Sequence, residues 1–291
     1  MLTVVIPTLN RIERLTRTIR TVLQDRGPLA VDLVVVDQSD EDKRFFPDKE
    51  MQAQGVRVIY RDYHNVSKAR NDGSREVDAN ILIFVDDDID IAPGFLAAHW
   101  RQYAHEDVAA VTGPILEPDG HLLRRDELSD DEYRDLMEGR AALWNVDFEH
   151  SPNWAGAGNL SCRRSVFEGL EGFDEKLYRF NEDAEFCHRL RHAGYRLVYS
   201  PEAVVIHRPH SYGGTRNEMV FEHQIKAVLE NNLHFFRKVK LPLRKRVKGV
   251  WGMFKTHALR GRLVFDREQL RRIVIFVSVL QASIHYGRVV N

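Results

Sequence analysis

Five short apolar runs constrain the fold of this chain more than any other feature of its sequence. They lie at residues 2–6, 31–36, 56–60, 81–85 and 108–112. Apart from Thr3 the first run is apolar, as expected for a strand that is covered on both faces in a parallel sheet. Between the runs, apolar residues recur at helical spacing, first over residues 11–24 with Asn10 as the expected N-cap. This alternation predicts βαβ units with right-handed crossovers, and therefore a mostly parallel α/β sheet flanked by helices.

The fourth apolar run ends in three adjacent carboxylates, Asp86, Asp87 and Asp88, which repel one another. Ligands of an open parallel sheet bind beyond the carboxyl ends of its strands, where Thr8 and Asp37 should also lie. A hard divalent cation, Mg²⁺ or Mn²⁺, takes oxygen ligands and usually shares them with a diphosphate. A solvated acidic turn would explain any one of these residues. Three carboxylates after a buried strand, with a fourth nearby, favour a cation site.

Five segments, taken in order, resemble the motifs of a known family. They are VVIPTLNR, LVVVDQSD, KARNDG, FVDDDID and NEDAEF, and the set resembles the inverting family 2 glycosyltransferases of GT-A fold over residues 2–207. The resemblance implies a Rossmann-like, mostly parallel sheet flanked by helices. Residues 1–215 would form the nucleotide-sugar-binding and catalytic domain, and residues 216–291 a basic, helical C-terminal appendage. One departure is Gln38, because the family often has Asp-Asp-Gly-Ser where this chain has DQSD.

The resemblance also implies which residues bind a nucleotide-sugar donor and its metal. The nucleotide-sugar-binding residues would be Pro7, Thr8, Arg11, Asp37, Arg70, Asn71, Asp86 and Asp87. Asp88 would ligate Mn²⁺ or Mg²⁺. His207 would be a second metal ligand, although a single histidine at a strand end is more often structural. Trp154, Gly156 and Asn159 would line the pocket for the sugar and the acceptor. The segment SYGGT, residues 211–215, has two glycines that permit hinge motion and could form a lid.

Two carboxylates, Glu182 and Asp183, begin a predicted helix over residues 182–193. The helix dipole stabilises negative charge there, so an acidic first turn accounts for them without any catalysis. The resemblance implies that they are catalytic. Asp183 would be the general base that takes the proton of the acceptor hydroxyl, and Glu182 would bind the acceptor or support Asp183.

The function that follows is a metal-dependent, inverting hexosyl-type transfer from a nucleoside-diphosphate sugar to an acceptor hydroxyl, in glycan, polysaccharide or glycolipid biosynthesis. UDP is the first expectation for the nucleotide, with GDP or dTDP as alternatives, and the acceptor would be a glycan or a lipid-linked sugar. A sugar-nucleotide pyrophosphorylase is one alternative, but it needs a glycine-rich loop that PTLNRIERL lacks. A catalytically silent module with the same fold is another. The presence of both Asp88 and Asp183 argues against it.

The C-terminal region has a charge unlike that of the rest. Between residues 237 and 272 there are thirteen Lys or Arg against two acidic residues, while the whole chain has a formal net charge of −1. A helical appendage with solvated basic faces explains this pattern. Peripheral attachment to an anionic membrane surface explains it equally well. The region has no nucleic-acid-binding motif, so nucleic acid is not an expected partner.

Several features favour a cytoplasmic protein, either free or peripheral at the inner face of the membrane. The chain starts directly with a strand pattern and shows no signal-peptide pattern. Its longest strongly apolar stretch, residues 273–280, is far shorter than the roughly 20 residues that span a bilayer. Cys162 and Cys187 fit no zinc or disulfide pattern, and we expect both to be small buried residues.

Overall fold

The computed structural model describes residues 1–138, 145–208, 221–259 and 267–289, and ten strands lie in these ranges. They are β1 Leu2–Thr8, β2 Val31–Asp37, β3 Val56–Tyr60, β4 Ile81–Val85, β5 Ile89–Ile91, β6 Val108–Thr112, β7 Ile115–Leu116, β8 Asn159–Arg163, β9 Arg196–Tyr199 and β10 Val205–His207. Seven form the central sheet in the order β3-β2-β1-β4-β8-β6-β9, and three form a small sheet in the order β5-β10-β7. The predicted segment 211–215 and the predicted boundary at residue 215 lie outside the described residues.

The helices lie between the strands and at the C-terminal end. They are α1 Ile12–Asp25, α2 Lys49–Ala53, α3 Val66–Arg75, α4 Phe95–Gln102, α5 Asp130–Met137, α6 Arg164–Gly169, α7 Glu182–His192, α8 Phe221–Lys238, α9 Leu243–Met253 and α10 Arg267–Val289, with a π-helical turn at Phe254–Ala258. The predicted helix 11–24 begins one residue later. Arg11, not Asn10, is its N-cap, because Asn10 takes a left-handed backbone conformation and donates its side-chain N–H to Asp40.

The sheet is mostly parallel, as predicted. Strand β1 pairs in parallel with both β2 and β4, and β8 is antiparallel to both β4 and β6. Strand β8 escaped prediction because two of its buried side chains are polar. Asn159 and Ser161 lie inside the protein and hydrogen-bond to the buried ring of His99. Burial of that kind leaves no apolar alternation in the sequence.

The apolar runs of the inner strands reflect a packed layer on each side of the central sheet, whereas the edge strand β3 is mostly half-buried. In β4, Ile83 and Val85 join the core cluster that contains α1, while Leu82 and Phe84 join the cluster on the opposite face. Each fully buried side chain of this size contributes about 1.5–3 kcal/mol relative to exposure. The core therefore fixes which side chains of β4 face each side of the sheet, and hence where the chain leaves the sheet at Asp86.

The register of the parallel strands brings their polar ends together. Thr8 lies opposite Asp37, so β1 extends through Pro7 to Thr8 instead of stopping at Pro7 as the sequence suggested. On its other side β1 is aligned with β4, with Val5 opposite Phe84. The carboxyl ends of β1, β2 and β4 consequently share one edge of the sheet, which is where ligands bind in open α/β folds.

The C-terminal helices have a small core of their own. It contains Ile225 and Leu229 of α8, Ala258 of the π-helical turn and Phe276 of α10.

Cys162 and Cys187 are buried and unbonded to each other, as expected. Within the described ranges, every helix is too short or too polar to cross a membrane.

Candidate active site

A cleft of about 490 Å³ opens at the carboxyl edge of the sheet. It gathers most of the site residues expected from the sequence, namely Pro7, Thr8, Arg11, Arg70, Asp86, Asp87, Asp88, Trp154, Gly156, Glu182, Asp183 and His207. These residues come from positions 7 to 207 of the chain. Only the folded sheet brings them together.

The three adjacent carboxylates are distinguished by their partners. Thr8 Oγ1 donates to Asp87 Oδ2 at 2.6 Å, and Arg11 Nη1 donates to Asp87 Oδ1 at 3.0 Å and to Asp88 Oδ2 at 2.7 Å. Burial raises the pKa of Asp87 to about 6, although Arg11 opposes the shift. Burial also acts to raise the pKa of Asp88, but the hydrogen bond from His207 and the charge of Arg11 outweigh it and lower that pKa. Asp88 is therefore ionised at neutral pH and available to a cation.

The side chains of Asp88 and His207 fit a divalent cation. His207 ends β10, and its Nε2 lies 3.7 Å from Asp88 Oδ2. Two atoms bonded to one Mg²⁺ or Mn²⁺ at roughly 2.1 Å lie about 3–4 Å apart, so this separation suits a shared ion. The hydrogen bond with Asp88 raises the pKa of His207 to about 9, and metal binding would displace that proton. In the described part of the chain no three His, Cys, Asp or Glu residues form a metal-binding group.

Arg70 joins the acidic strand end to helix α7. Its Nη2 donates to Asp86 Oδ1 at 2.8 Å and its Nη1 to Glu182 Oε1 at 2.9 Å. The guanidinium is almost completely buried. Burial lowers its pKa, but Asp86 and Glu182 together raise the pKa above its usual value. Arg70 is a permanent positive charge that pairs with both carboxylates and so links the end of β4 to the start of α7.

Asp183 lies next to Glu182 in the first turn of α7. Its Oδ1 accepts the N–H of Ala184 at 2.7 Å, and Oδ2 has only a long contact of 3.4 Å with the N–H of Ala157. Burial raises the pKa of Asp183 to about 7, and the neighbouring charge of Glu182 adds to the shift. A carboxylate with a pKa near the working pH is well matched to proton transfer. Asp183 is one of three acidic residues in the first turn of α7, with Glu182 and Glu185, and its raised pKa suits it to accept a proton near neutral pH.

A glycine-containing loop brings the backbone close to the acidic strand end. A Cβ atom at Gly158 would lie 2.6 Å from Asp86 Oδ2, which is closer than carbon and oxygen atoms approach in proteins. Gly156 lines the same wall, and a Cβ there would lie 3.2 Å from Ile115 Cδ1. Trp154 also lines the cleft while packing against the core cluster beneath it. The loop can reach this position because Gly158 has no side chain.

Three predicted site residues lie outside the cleft lining. Asp37 is fully buried, and its two oxygens accept the N–H groups of Ser39 and Phe45 at 2.9 and 2.7 Å. Asn71 exchanges hydrogen bonds with the backbone of Phe173. Asn159 donates to the carbonyl oxygens of residues 114 and 203. These polar atoms are occupied by backbone groups, so here the three residues shape loops around the cleft.

Two further polar residues, Gln38 and Arg179, line the cleft in addition to the predicted site residues. Gln38, the departure from the family motif, accepts the N–H of Asn65 at 2.7 Å and faces the cleft next to Thr8. Arg179 brings a third guanidinium into the site. It lies three residues before Glu182, and a single arginine in a loop carries no recognisable motif. Its proximity to the acidic pair in the sequence was the only available signal.

The charges of the cleft favour a metal-bound anion over a free one. Five carboxylates, those of Asp86, Asp87, Asp88, Glu182 and Asp183, face the guanidiniums of Arg11, Arg70 and Arg179 and the imidazole of His207. Acidic groups are therefore in excess before any ligand enters. A diphosphate would add further negative charge, and a divalent cation would offset it.

Solved structures of similar shape share the fold. GalNAc-T7 with UDP, GalNAc and Mn²⁺ matches with a TM-score of 0.61 and 18% identity, over 81% of this chain and 50% of that one. The mannosyltransferase PcManGT of Pyrobaculum calidifontis, in complex with GDP-Man and Mn²⁺, matches with a TM-score of 0.55 and 15% identity, over 97% of this chain and 85% of that one. The mostly parallel sheet with its acidic edge is thus a GT-A fold, as the resemblance implied.

Sequence comparison identifies the family. The family model for Glycosyl transferase family 2 matches residues 3–162, which is more than half of the chain, so this chain belongs to that family. Validoxylamine A glucosyltransferase of Streptomyces hygroscopicus subsp. limoneus is 26% identical, over 99% of this chain and 70% of that protein. The N-acetylglucosaminyl-diphospho-decaprenol L-rhamnosyltransferase of Mycobacterium tuberculosis is 32% identical, over 43% of this chain and 38% of that protein. The pre-mycofactocin glycosyltransferase of the same species is 28% identical over 55% of this chain, and the match covers only 36% of its length.

Proposed function

We propose that this chain transfers a sugar from a nucleoside diphosphate to an acceptor hydroxyl, with a divalent cation and with inversion at the anomeric carbon. One observation carries the proposal. A single cleft holds a metal-compatible pair, Asp88 and His207, together with a carboxylate whose pKa is raised to about 7, Asp183. The first element suits a diphosphate leaving group, and the second suits deprotonation of an alcohol.

At the end of the cleft that would hold the leaving group, catalysis would depend on charged groups that stabilise the diphosphate. A Mg²⁺ or Mn²⁺ ion on Asp88 and His207 would supply positive charge next to the diphosphate when bound. Arg11 lies 2.7 Å from Asp88 Oδ2 and would have to give up that oxygen to the ion. Arg11 also donates to Asp87 Oδ1 at 3.0 Å, and the guanidiniums of Arg11 and Arg179 would both line the part of the cleft that receives the phosphates. Preorganised positive charge of this kind is often the largest contribution to catalysis, because negative charge builds up on the departing oxygen.

The acceptor end is governed by Asp183. The acceptor oxygen forms a bond to the anomeric carbon while the bond from that carbon to the phosphate oxygen breaks, and the nucleoside diphosphate leaves with the bonding electron pair. The acceptor proton passes to the Asp183 carboxylate. Arg70 holds Glu182 beside Asp183. Burial keeps the pKa of Asp183 high enough for it to act as a base, and the neighbouring charge of Glu182 adds to the shift. Attack from the side opposite the leaving group inverts the configuration.

Donor and acceptor identities are proposed by class. UDP and GDP are the nucleotides in the names of the two solved relatives, and dTDP is the further candidate. A lipid-linked acceptor is supported by the name of the decaprenol-linked relative. A thermal-shift screen of UDP-, GDP- and dTDP-sugars with and without Mn²⁺ tests the proposal, since a ligand at 100 times its Kd stabilises by about 2.7 kcal/mol. The proposal would be contradicted if none of these donors shifted the melting temperature, either with or without Mn²⁺.

We also propose that the basic C-terminal region binds an anionic membrane surface through α9. Leu243, Val247 and Trp251 recur at four-residue spacing and are 75%, 60% and 52% exposed. The exposed Arg244 and Lys248 flank this apolar stripe on the same helix. An apolar stripe with a tryptophan and flanking basic residues is typical of helices that lie in the lipid headgroup layer.

Co-sedimentation with lipid vesicles tests this second proposal. Binding should require phosphatidylglycerol in phosphatidylcholine vesicles and should weaken in Trp251→Ala. The matched control is Trp100→Ala, because Trp100 is 40% exposed on α4, outside the C-terminal region. Equal binding by both variants and the unaltered protein would contradict the role of α9.

A further inference from the structure

The segment that leads into the proposed base is held by a helix of the C-terminal region. Asn231 of α8 is fully buried. Its Oδ1 accepts the backbone N–H of Arg179 at 3.1 Å and that of Phe180 at 3.0 Å. One side-chain oxygen therefore satisfies two consecutive donors of a segment that is otherwise irregular. A buried N–H without such a partner costs about 1–3 kcal/mol, so this contact fixes where the segment lies.

Other contacts between α8 and this segment flank the Asn231 contact. Asp174 accepts hydrogen bonds from His234 at 2.9 Å and from Lys238 at 2.7 Å. The hydroxyl of Tyr178 donates to Glu230 at 3.2 Å. Asn181 Nδ2 also donates to Asn232 Oδ1 at 3.3 Å. Helix α8 thus contacts residues 174–181 along their length, and among these contacts Asn231 is the one that holds two backbone N–H groups.

The anchored residues are directly connected to the cleft. Arg179 places its guanidinium in the cleft lining. Asn181 follows with a φ of 66°, a left-handed conformation that is uncommon outside glycine, and α7 begins at the next residue. Asp183 is the second residue of that helix. A movement of the backbone at residues 179–180 would therefore displace both the cationic side chain of Arg179 and the carboxylate of Asp183, the proposed general base.

We propose that Asn231 is a positioning residue for sugar transfer: it acts through the backbone of Arg179 and Phe180 to set the position of Asp183. The inference rests on the proposed function, in which Asp183 is the base. Asn231 itself touches neither donor nor acceptor. Displacement of a reacting group by about 1 Å can cost on the order of 10²-fold in rate, so the anchor should affect turnover more than donor affinity.

Three variants separate positioning from stability. Asn231→Ala removes the acceptor oxygen. Asn231→Asp keeps an oxygen for both N–H groups and replaces only Nδ2, which lacks a hydrogen-bond partner among the described residues. Leu229→Ala is the matched control, since it removes a fully buried side chain from the same helix but leaves the Asn231 contacts in place.

Two measurements are made on the full chain. Amide hydrogen exchange of peptides covering residues 178–183 should become about tenfold faster in Asn231→Ala and should stay near the original rate in Asn231→Asp. With whichever of the UDP-, GDP- and dTDP-sugars stabilises the unaltered protein, kcat should fall roughly 10- to 100-fold in Asn231→Ala, recover in Asn231→Asp and change less than threefold in Leu229→Ala. The KM for the donor should change less than kcat.

The outcomes that overturn the inference are distinct. Unchanged exchange in Asn231→Ala would refute the anchoring. Faster exchange with a kcat within twofold of the original would refute the positioning role, and an equal loss of kcat in Leu229→Ala would assign the effect to stability. If no donor binds to the unaltered protein, the proposed function fails, and that result is independent of the exchange measurement.

Discussion

Replacing the proposed base should produce a loss that depends on pH in a defined way. In Asp183→Asn the side chain keeps its size and can still accept the N–H of Ala184 through its carbonyl oxygen, but it cannot take a proton. General-base catalysis contributes about 10²–10⁴-fold, so transfer should fall by that factor while donor binding is retained. Folding should be little affected, because the substitution removes a partly buried carboxylate that lies beside Glu182.

The pH dependence of transfer provides a second test of the role of Asp183. The pKa of Asp183 is raised to about 7, so the carboxylate is deprotonated and active above that pH. Below it, kcat/KM of the unaltered protein should fall toward tenfold per pH unit, or roughly 50-fold between pH 7 and pH 5. Asp183→Asn should lose this limb and give a flat, low profile over the same range.

A matched control isolates the base from the helix-dipole effect. Asp131 is the second residue of α5, as Asp183 is of α7, and it pairs with the exposed Arg134 outside the cleft. Asp131→Asn should leave kcat and its pH dependence unchanged. Transfer by Asp183→Asn within threefold of the original, or a retained acidic limb in that variant, would refute the assignment of the base.

Three further perturbations have outcomes that follow from the structure. Asp88→Ala should lose the Mn²⁺ dependence of donor binding in calorimetry, and equal affinities with and without Mn²⁺ in the unaltered protein would contradict the metal role. Gly158→Ala should weaken donor binding about tenfold, roughly 1.4 kcal/mol, because its Cβ displaces Asp86, whereas Gly169→Ala, with nothing within 4 Å of its added Cβ, should not. Burial acts to raise the pKa of Asp174, but hydrogen bonds from His234 and Lys238 outweigh it and hold that pKa well below its usual value. The carboxylate is therefore ionised at neutral pH, where its contribution to the free energy of unfolding is fully present. Asp174→Asn should therefore lower the free energy of unfolding by about 1–3 kcal/mol at pH 7, and the difference should shrink as the pH falls below about 4. A difference that is constant with pH in chemical denaturation would contradict this.

The parts of the fold that the sequence predicted are strands marked by runs of largely apolar residues. Strands β3, β4 and β6 have the predicted bounds, because their apolar runs end where the chain leaves the core. The convergence of Thr8 with the acidic cluster also followed, since parallel register aligns the strand ends. Family membership was predicted from the ordered motifs and is confirmed over residues 3–162.

The parts that the sequence did not predict depend on contacts between distant residues. Strand β8 carries buried polar side chains whose partner, His99, lies about 60 residues earlier. Asp37 ends β2 as predicted, but its two oxygens are taken by the N–H groups of the following loop. Arg179 reaches the cleft because Asn231, 52 residues later, holds its backbone. Partners this far apart in the sequence cannot be predicted from the local pattern of residues.

The most direct test of the account is the position of the metal. Crystals grown with Mn²⁺ and the nucleoside diphosphate that gives the largest thermal shift should show an anomalous manganese peak bonded to Asp88 Oδ2 and His207 Nε2, with Arg11 moved off Asp88. A peak bonded to neither side chain, or a bound diphosphate with Arg11 still on Asp88 and no manganese, would contradict the claim that this acidic edge holds a cation for a sugar donor.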